Sequence, residues 1–180
     1  MNMPEMPVCL IAADKIHEMV SQLGAEITAC YRHQPQELIV VGLLKGAFIF
    51  MADLVRQIEV PLVVDFLGVS SYGEAAASSG QIRLTLDLAT DIAGRDVLLV
   101  EDIVDTGITI GAVRRLLKDR RPRSLKVCAL LSKPECRRVD AQVDFLGQEI
   151  ENVFIVGYGL DYAERFRHLP FVGKIELSGK

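Results

Sequence analysis

Val97-Leu98-Leu99-Val100-Glu101-Asp102-Ile103-Val104-Asp105-Thr106-Gly107-Ile108-Thr109 is the stretch on which the reading of this chain turns. Four apolar residues lead into two adjacent carboxylates. Two more apolar residues follow, then a third carboxylate and Thr-Gly-x-Thr opening a helix. An aliphatic run without polar alternation suits a strand buried on both faces. In an open α/β sheet, ligands bind at the carboxyl ends of such strands. The strand-to-helix turn offers an anion unpaired backbone N–H groups and the positive end of the helix dipole. Thr106 and Thr109 add hydroxyls, and Gly107 lets the backbone approach closely. The result is a phosphate cradle that needs no Lys or Arg. Glu101 and Asp102 are placed to hold ribose hydroxyls, directly or through a metal. Asp105 is placed to move a proton or to stabilise developing positive charge. In the plainer alternative the acids merely cap the helix, and three carboxylates then sit at a buried strand end at high cost without ligands. The segment is neither GxxxxGK[ST] nor GxGxxG.

Outward from this centre the chain alternates strand and helix. Upstream, Ile16, Val20, Leu23, Ile27 and Tyr31 recur at helical spacing and predict a helix over Asp14 to Tyr31 with Asp14 as N-cap. Leu38 to Leu44 reads as a buried strand. After Lys45-Gly46 the period changes, and Ala47, Phe50, Met51, Leu54 and Ile58 follow helical spacing up to Pro61. Leu62 to Val69 is a second buried strand, which completes a strand–helix–strand unit of a parallel sheet. Residues 70–80 are rich in small residues and read as a mobile loop. Gln81 to Leu88 alternates and predicts a half-exposed, antiparallel strand. Downstream, a helix runs from about Thr109 to Asp119. Strands follow at Leu125 to Leu131, Val143 to Leu146 and Val153 to Val156, the last closing the sheet. The expected architecture is a single α/β domain over 1–180, with about five parallel strands flanked by helices. A small hood is built from the two chain ends, about 1–15 and 150–180, with a flexible loop at about 70–81.

Composition limits the function classes. Of 180 residues, half are apolar, enough for one sizeable core and too few for two. Lys plus Arg is 20 and Asp plus Glu is 24, so the net charge is 20 − 24 = −4. This argues against binding nucleic acid or a membrane surface by bulk charge. The one basic run, Lys118 to Arg123, suits a solvated helix end. Cys9, Cys30, Cys128 and Cys136 form no CxxC pair and lie far in sequence from the three histidines, which favours free thiols over a zinc site. Met1 to Pro7 has no signal-peptide pattern, and Leu38 to Ala52 is too short and interrupted to span a membrane. A soluble cytoplasmic domain is the expectation.

The pattern of apolar run, Glu-Asp, two apolar residues and Asp-Thr-Gly-x-Thr resembles the 5-phosphoribosyl-1-pyrophosphate (PRPP) signature of type I phosphoribosyltransferases. Over roughly residues 8 to 177 the segment order is similar to that of the hypoxanthine-using members. The resemblance implies the type I phosphoribosyltransferase fold and a Mg²⁺-dependent transfer of phosphoribosyl from PRPP to hypoxanthine, and to guanine second, by a homodimer or homotetramer. It assigns Glu101, Asp102, Asp105, Thr106, Gly107, Ile108 and Thr109 to PRPP, with Asp105 as general base, and Lys45, Gly46 and Arg167 to the pyrophosphate. It also implies a cis peptide between Leu44 and Lys45. Charge between two apolar elements is costly unless a ligand uses it, although Lys45 can also snorkel at a strand end. Lys133 resembles the lysine that donates to the purine 6-oxo group, the alternative being a surface lysine beside Pro134. Phe154 would stack on the base or pack as core, and the Ile155 backbone would read the base edge. Asp161 would join Glu101 and Asp102 in holding metal. Ser71-Tyr72-Gly73 resembles the family's closing loop. Where some relatives carry lysine, this chain has Ile108, so any side-chain contact from that position is lost.

Overall fold

The chain is described by a computed structural model covering residues 6–71 and 82–176, Ser71 by its backbone alone. The elements in order are β1 (Val8–Ile11), α1 (Ala13–Tyr31), β2 (Leu38–Leu44), α2 (Phe48–Val55), β3 (Leu62–Ser71), β4 (Ile82–Leu86), β5 (Asp96–Val104), α3 (Ile108–Lys118), β6 (Ser124–Ser132), a 3₁₀ turn (Pro134–Cys136), β7 (Phe145–Glu149), β8 (Ile155–Val156) and β9 (Val172–Lys174). The main sheet has the order β4-β3-β2-β5-β6-β7. Five of its strands run parallel, and β4 pairs antiparallel at the edge. This is the type I phosphoribosyltransferase architecture that the resemblance implies.

The long apolar strands pack on both faces because their alternate residues face opposite layers. Leu38, Val40, Leu98, Val100, Cys128 and Leu130 join one core with α1 and α2. Ile39, Val41, Val97, Leu99, Val127 and Ala129 join a second core with α3. The chain moves outward from β2 in one direction, to β3 and β4. From β5 it moves outward in the other, to β6 and β7. The order therefore reverses between β2 and β5, and the crevice at their carboxyl ends is where such a sheet takes ligands.

Three expectations are corrected. The α1 N-cap is Ala12, with no side-chain cap, and Asp14 lies one residue inside, where its carboxylate accepts the Lys15 N–H. β8 does not close the main sheet, whose edge is β7. It pairs antiparallel with β9, which also pairs with β1, in a separate three-stranded hood. A short apolar run carries no information about its partner, so the strand was readable and its sheet was not. Finally, β5 runs on to Val104, two residues beyond Glu101-Asp102, where the strand was expected to end.

At the far end of β5, Asp96 is 3% exposed and accepts bonds from Arg123 Nε at 2.9 Å and Ser124 Oγ at 2.6 Å. Its bond with Arg123 holds its carboxyl below the usual range. Asp96→Asn should cost about 1–2 kcal/mol at pH 7 in a denaturant titration. The sign follows from the lowered pKa. Wild-type stability from this group is present above the unfolded pKa near 4 and is lost as pH falls through the lower folded value, so the two proteins converge in acid. A gap unchanged down to pH 2 would refute this account.

Candidate active site

The β2 and β5 ends approach each other closely. A Cβ at Gly46 would overlap the Asp102 carboxylate, so only glycine fits there. The Leu44–Lys45 peptide just before it is cis. Asp102 is 8% exposed and its Oδ1 accepts the Ile103 N–H at 2.8 Å. Burial pushes its carboxyl up to about 6, against that hydrogen bond and the charge of Arg167. Glu101 is raised well above its usual range by burial and by the Asp102 charge. Two neighbouring carboxylates are thus desolvated together.

After β5 the chain turns through Asp105 and Thr106 to Gly107, whose φ of 82° makes it a left-handed N-cap for α3. A Cβ there would lie 2.8 Å from Ala141 Cβ and 2.9 Å from the Val139 carbonyl oxygen. Thr106 Oγ1 accepts the Ile108 N–H at 3.4 Å. Asp105 and Thr109 are exposed. Asp105 is therefore not one of three acids at a buried strand end: the cost argument holds for Glu101 and Asp102 alone.

The hood faces these two ends. Phe154 is 39% exposed and sits edge-on to Tyr162, with ring centroids 5.7 Å apart, so it is not core. Ile155 is buried in β8. Asp161 pairs with Arg167 Nη2 at 2.8 Å and accepts the Glu164 N–H at 2.8 Å. Arg167 also donates to the Gly159 carbonyl at 2.8 Å and contacts Glu164 at 3.3 Å, while Lys45 pairs with Glu164 at 3.1 Å. The Lys45 side chain is exposed, so its expected burial cost does not arise. Lys133 is the reverse case. It is 7% exposed rather than on the surface, and its N–H donates to the Val104 carbonyl at 3.0 Å.

A cavity of about 440 Å³ joins these parts. Its lining includes Lys45, Gly46, Glu101, Asp102, Asp105, Thr109, Lys133, Phe154, Ile155, Asp161 and Arg167. Thr106, Gly107 and Ile108 form the turn and helix start beside it. Ser71 ends β3, and Tyr72 lies outside the described residues, as does most of the expected loop. Among the described residues no group of three or more His, Cys, Asp or Glu is gathered to hold a metal.

A family profile, that of the phosphoribosyl transferase domain, matches residues 12–163. The chain belongs to this phosphoribosyltransferase family. A curated relative, the hypoxanthine phosphoribosyltransferase of Salmonella typhimurium, is 48% identical over 168 residues, 93% of this chain and 94% of that protein. The hypoxanthine-guanine phosphoribosyltransferase of Bacillus subtilis is 45% identical over 93% of this chain and 92% of its own. A crystal structure of a hypoxanthine-guanine phosphoribosyltransferase from Bacillus anthracis matches with a TM-score of 0.91 at 38% identity, covering 96% of this chain and all of that one.

Sequence reasoning missed two parts of this phosphoribosyltransferase site. Glu164 bridges Lys45 and Arg167 because Ala163 and Glu164 adopt φ of 50° and 64°. Neither residue type announces a left-handed conformation. Arg137 also bonds the turn after β5, from a segment with no motif of its own. No helix among the described residues is long and apolar enough to cross a membrane.

Proposed function

We propose that this chain transfers the 5-phosphoribosyl group of PRPP to a 6-oxopurine, hypoxanthine first and guanine second, releasing a nucleoside 5′-monophosphate and pyrophosphate. One observation carries the reading. A single cavity brings together a helix-capping turn, two desolvated carboxylates, an exposed aromatic ring and a buried lysine. These match, in order, a 5′-phosphate, ribose, a stacked base and its 6-oxo group.

The roles follow from the chemistry of each group. Backbone N–H groups from Asp105 to Thr109 would hold the 5′-phosphate at the start of α3. Glu101 and Asp102 would hold the ribose hydroxyls, and their charge favours the cation-like ring that forms as the bond to pyrophosphate breaks. Lys45, Gly46 and Arg167 would hold the pyrophosphate. Phe154 would stack on the base and the Ile155 backbone would read its edge. Asp105 would take a proton from the purine at N7. The Lys133 ammonium only donates, so it selects an oxo group over an amino group at C6.

Members of this family generally need a divalent metal, and Mg²⁺ is the proposed cofactor. The donor set fits a hard cation. Glu101 and Asp102 are adjacent, raised in pKa by burial, and make no ion pair within 4 Å among the described residues. Asp161 already pairs with Arg167, so it is the weakest of the three candidate ligands. When bound, the metal would neutralise charge on the leaving pyrophosphate. Self-association as a homodimer or homotetramer is part of the proposal, and Phe48 at the start of α2 leaves an apolar side chain exposed.

Initial rates with hypoxanthine, guanine, xanthine and adenine, at fixed PRPP and Mg²⁺, test the reading. Hypoxanthine should be fastest, guanine second, xanthine weak and adenine slowest. Adenine consumed as fast as hypoxanthine would end it.

A further inference from the structure

A phosphate turn works by direction. Within a planar trans peptide unit the C=O and the following N–H point opposite ways, so whatever holds the carbonyl also aims the amide. Both carbonyls of this turn are held by one segment. The Asp105 carbonyl accepts Arg137 Nη1 at 3.0 Å. The Thr106 carbonyl accepts the Arg138 N–H at 3.0 Å and the Val139 N–H at 3.4 Å. The N–H groups of Thr106 and Gly107 therefore face away from residues 137–139. The second arm of Arg137, Nη2, donates to Ser132 Oγ at 2.9 Å, a residue buried at the end of β6. One rigid guanidinium thus spans from a core strand to the catalytic turn.

We infer that Arg137 is a positioning residue of the phosphate site. It does not line the cavity. It acts through the Asp105–Thr106 peptide, pulling the carbonyl back so that the amide faces the 5′-phosphate. A cation on the carbonyl oxygen also polarises that amide, which strengthens its bond to an anion. The planar fork matters, because an ammonium at this place serves one acceptor with fixed geometry and not two. The same bracing explains Gly107, where a Cβ would run into Val139 and Ala141. The inference rests on the proposed function, since it takes the turn to bind the 5′-phosphate.

The test compares two ligands by calorimetry: inosine 5′-monophosphate, which carries the 5′-phosphate, and inorganic pyrophosphate, which does not. Arg137→Ala should weaken the nucleotide about tenfold, the scale of one charge-assisted hydrogen bond, and leave pyrophosphate unchanged. In kinetics, KM for PRPP should rise more than kcat falls. Arg137→Lys should recover part of the loss, and free guanidinium should rescue the alanine variant but not the lysine one. Equal weakening of both ligands, or none, would overturn the positioning role, and Arg137→Lys keeps the question open to measurement if the alanine variant fails to fold. Wild-type protein that binds no nucleotide at all would instead overturn the transferase reading and the inference with it.

Discussion

Asp105→Asn is expected to lower turnover with hypoxanthine by about 10²–10⁴-fold, the loss typical of removing a general base. The substitution is chosen for what it leaves in place. Asparagine keeps the side-chain shape, so the turn retains its entry into α3 and the Asp105 carbonyl stays available to Arg137. Affinity for inosine 5′-monophosphate should therefore hold within a few-fold while kcat falls. That split separates proton transfer from phosphate binding, because a variant that merely spoils the turn loses both. The side chain lines the cavity and is exposed at its mouth, so a base has access to it. Near-full turnover by this variant would remove Asp105 from the chemistry and leave the turn as a binding device alone.

What was legible in the sequence divides along physical lines. β2 and β5 were readable because burial on both faces demands unbroken aliphatic runs, and α1 because one buried face imposes a spacing. The site was readable where the local chain makes it, as from Glu101 to Thr109, since a strand end and a helix start are fixed by neighbours in sequence. It was not readable where folding brings distant groups together. Nothing near Lys133 signals that it will sit beside the end of β5 with little exposure, and nothing in Ala163-Glu164 signals a left-handed turn that delivers a carboxylate between Lys45 and Arg167. Arg137 reads as one more surface arginine until the Asp105 carbonyl is found beside it. The two-residue β8 is the limiting case: its apolar character is local, but its partner β9 lies at the other end of the hood's chain segment. Ile155 nevertheless reached the cavity, because the hood as a whole faces the ends of β2 and β5.

Lys133→Met is expected to lower kcat/KM for hypoxanthine by about 10²-fold, the upper range for one hydrogen bond from a charged donor. Lys133 lines the cavity beside Phe154 and Ile155. The residue is 7% exposed, and its ammonium makes no side-chain hydrogen bond or ion pair with the described residues. An ammonium that opens on the cavity without a protein acceptor gains one when a 6-oxo group binds. Adenine presents donors at that position, so it meets a like group and leaves the ammonium unsatisfied. Methionine has nearly the same length, fills the same space and has no donor to satisfy. Adenine should then gain or stay constant while hypoxanthine falls, and the ratio of their kcat/KM values should move toward one, short of it while the Ile155 backbone still reads the base edge. The thermal midpoint should be kept or raised, because no partner of Lys133 among the described residues is orphaned. Parallel losses for both bases with a lowered midpoint would mean that the lysine supports the fold and does not select the substrate.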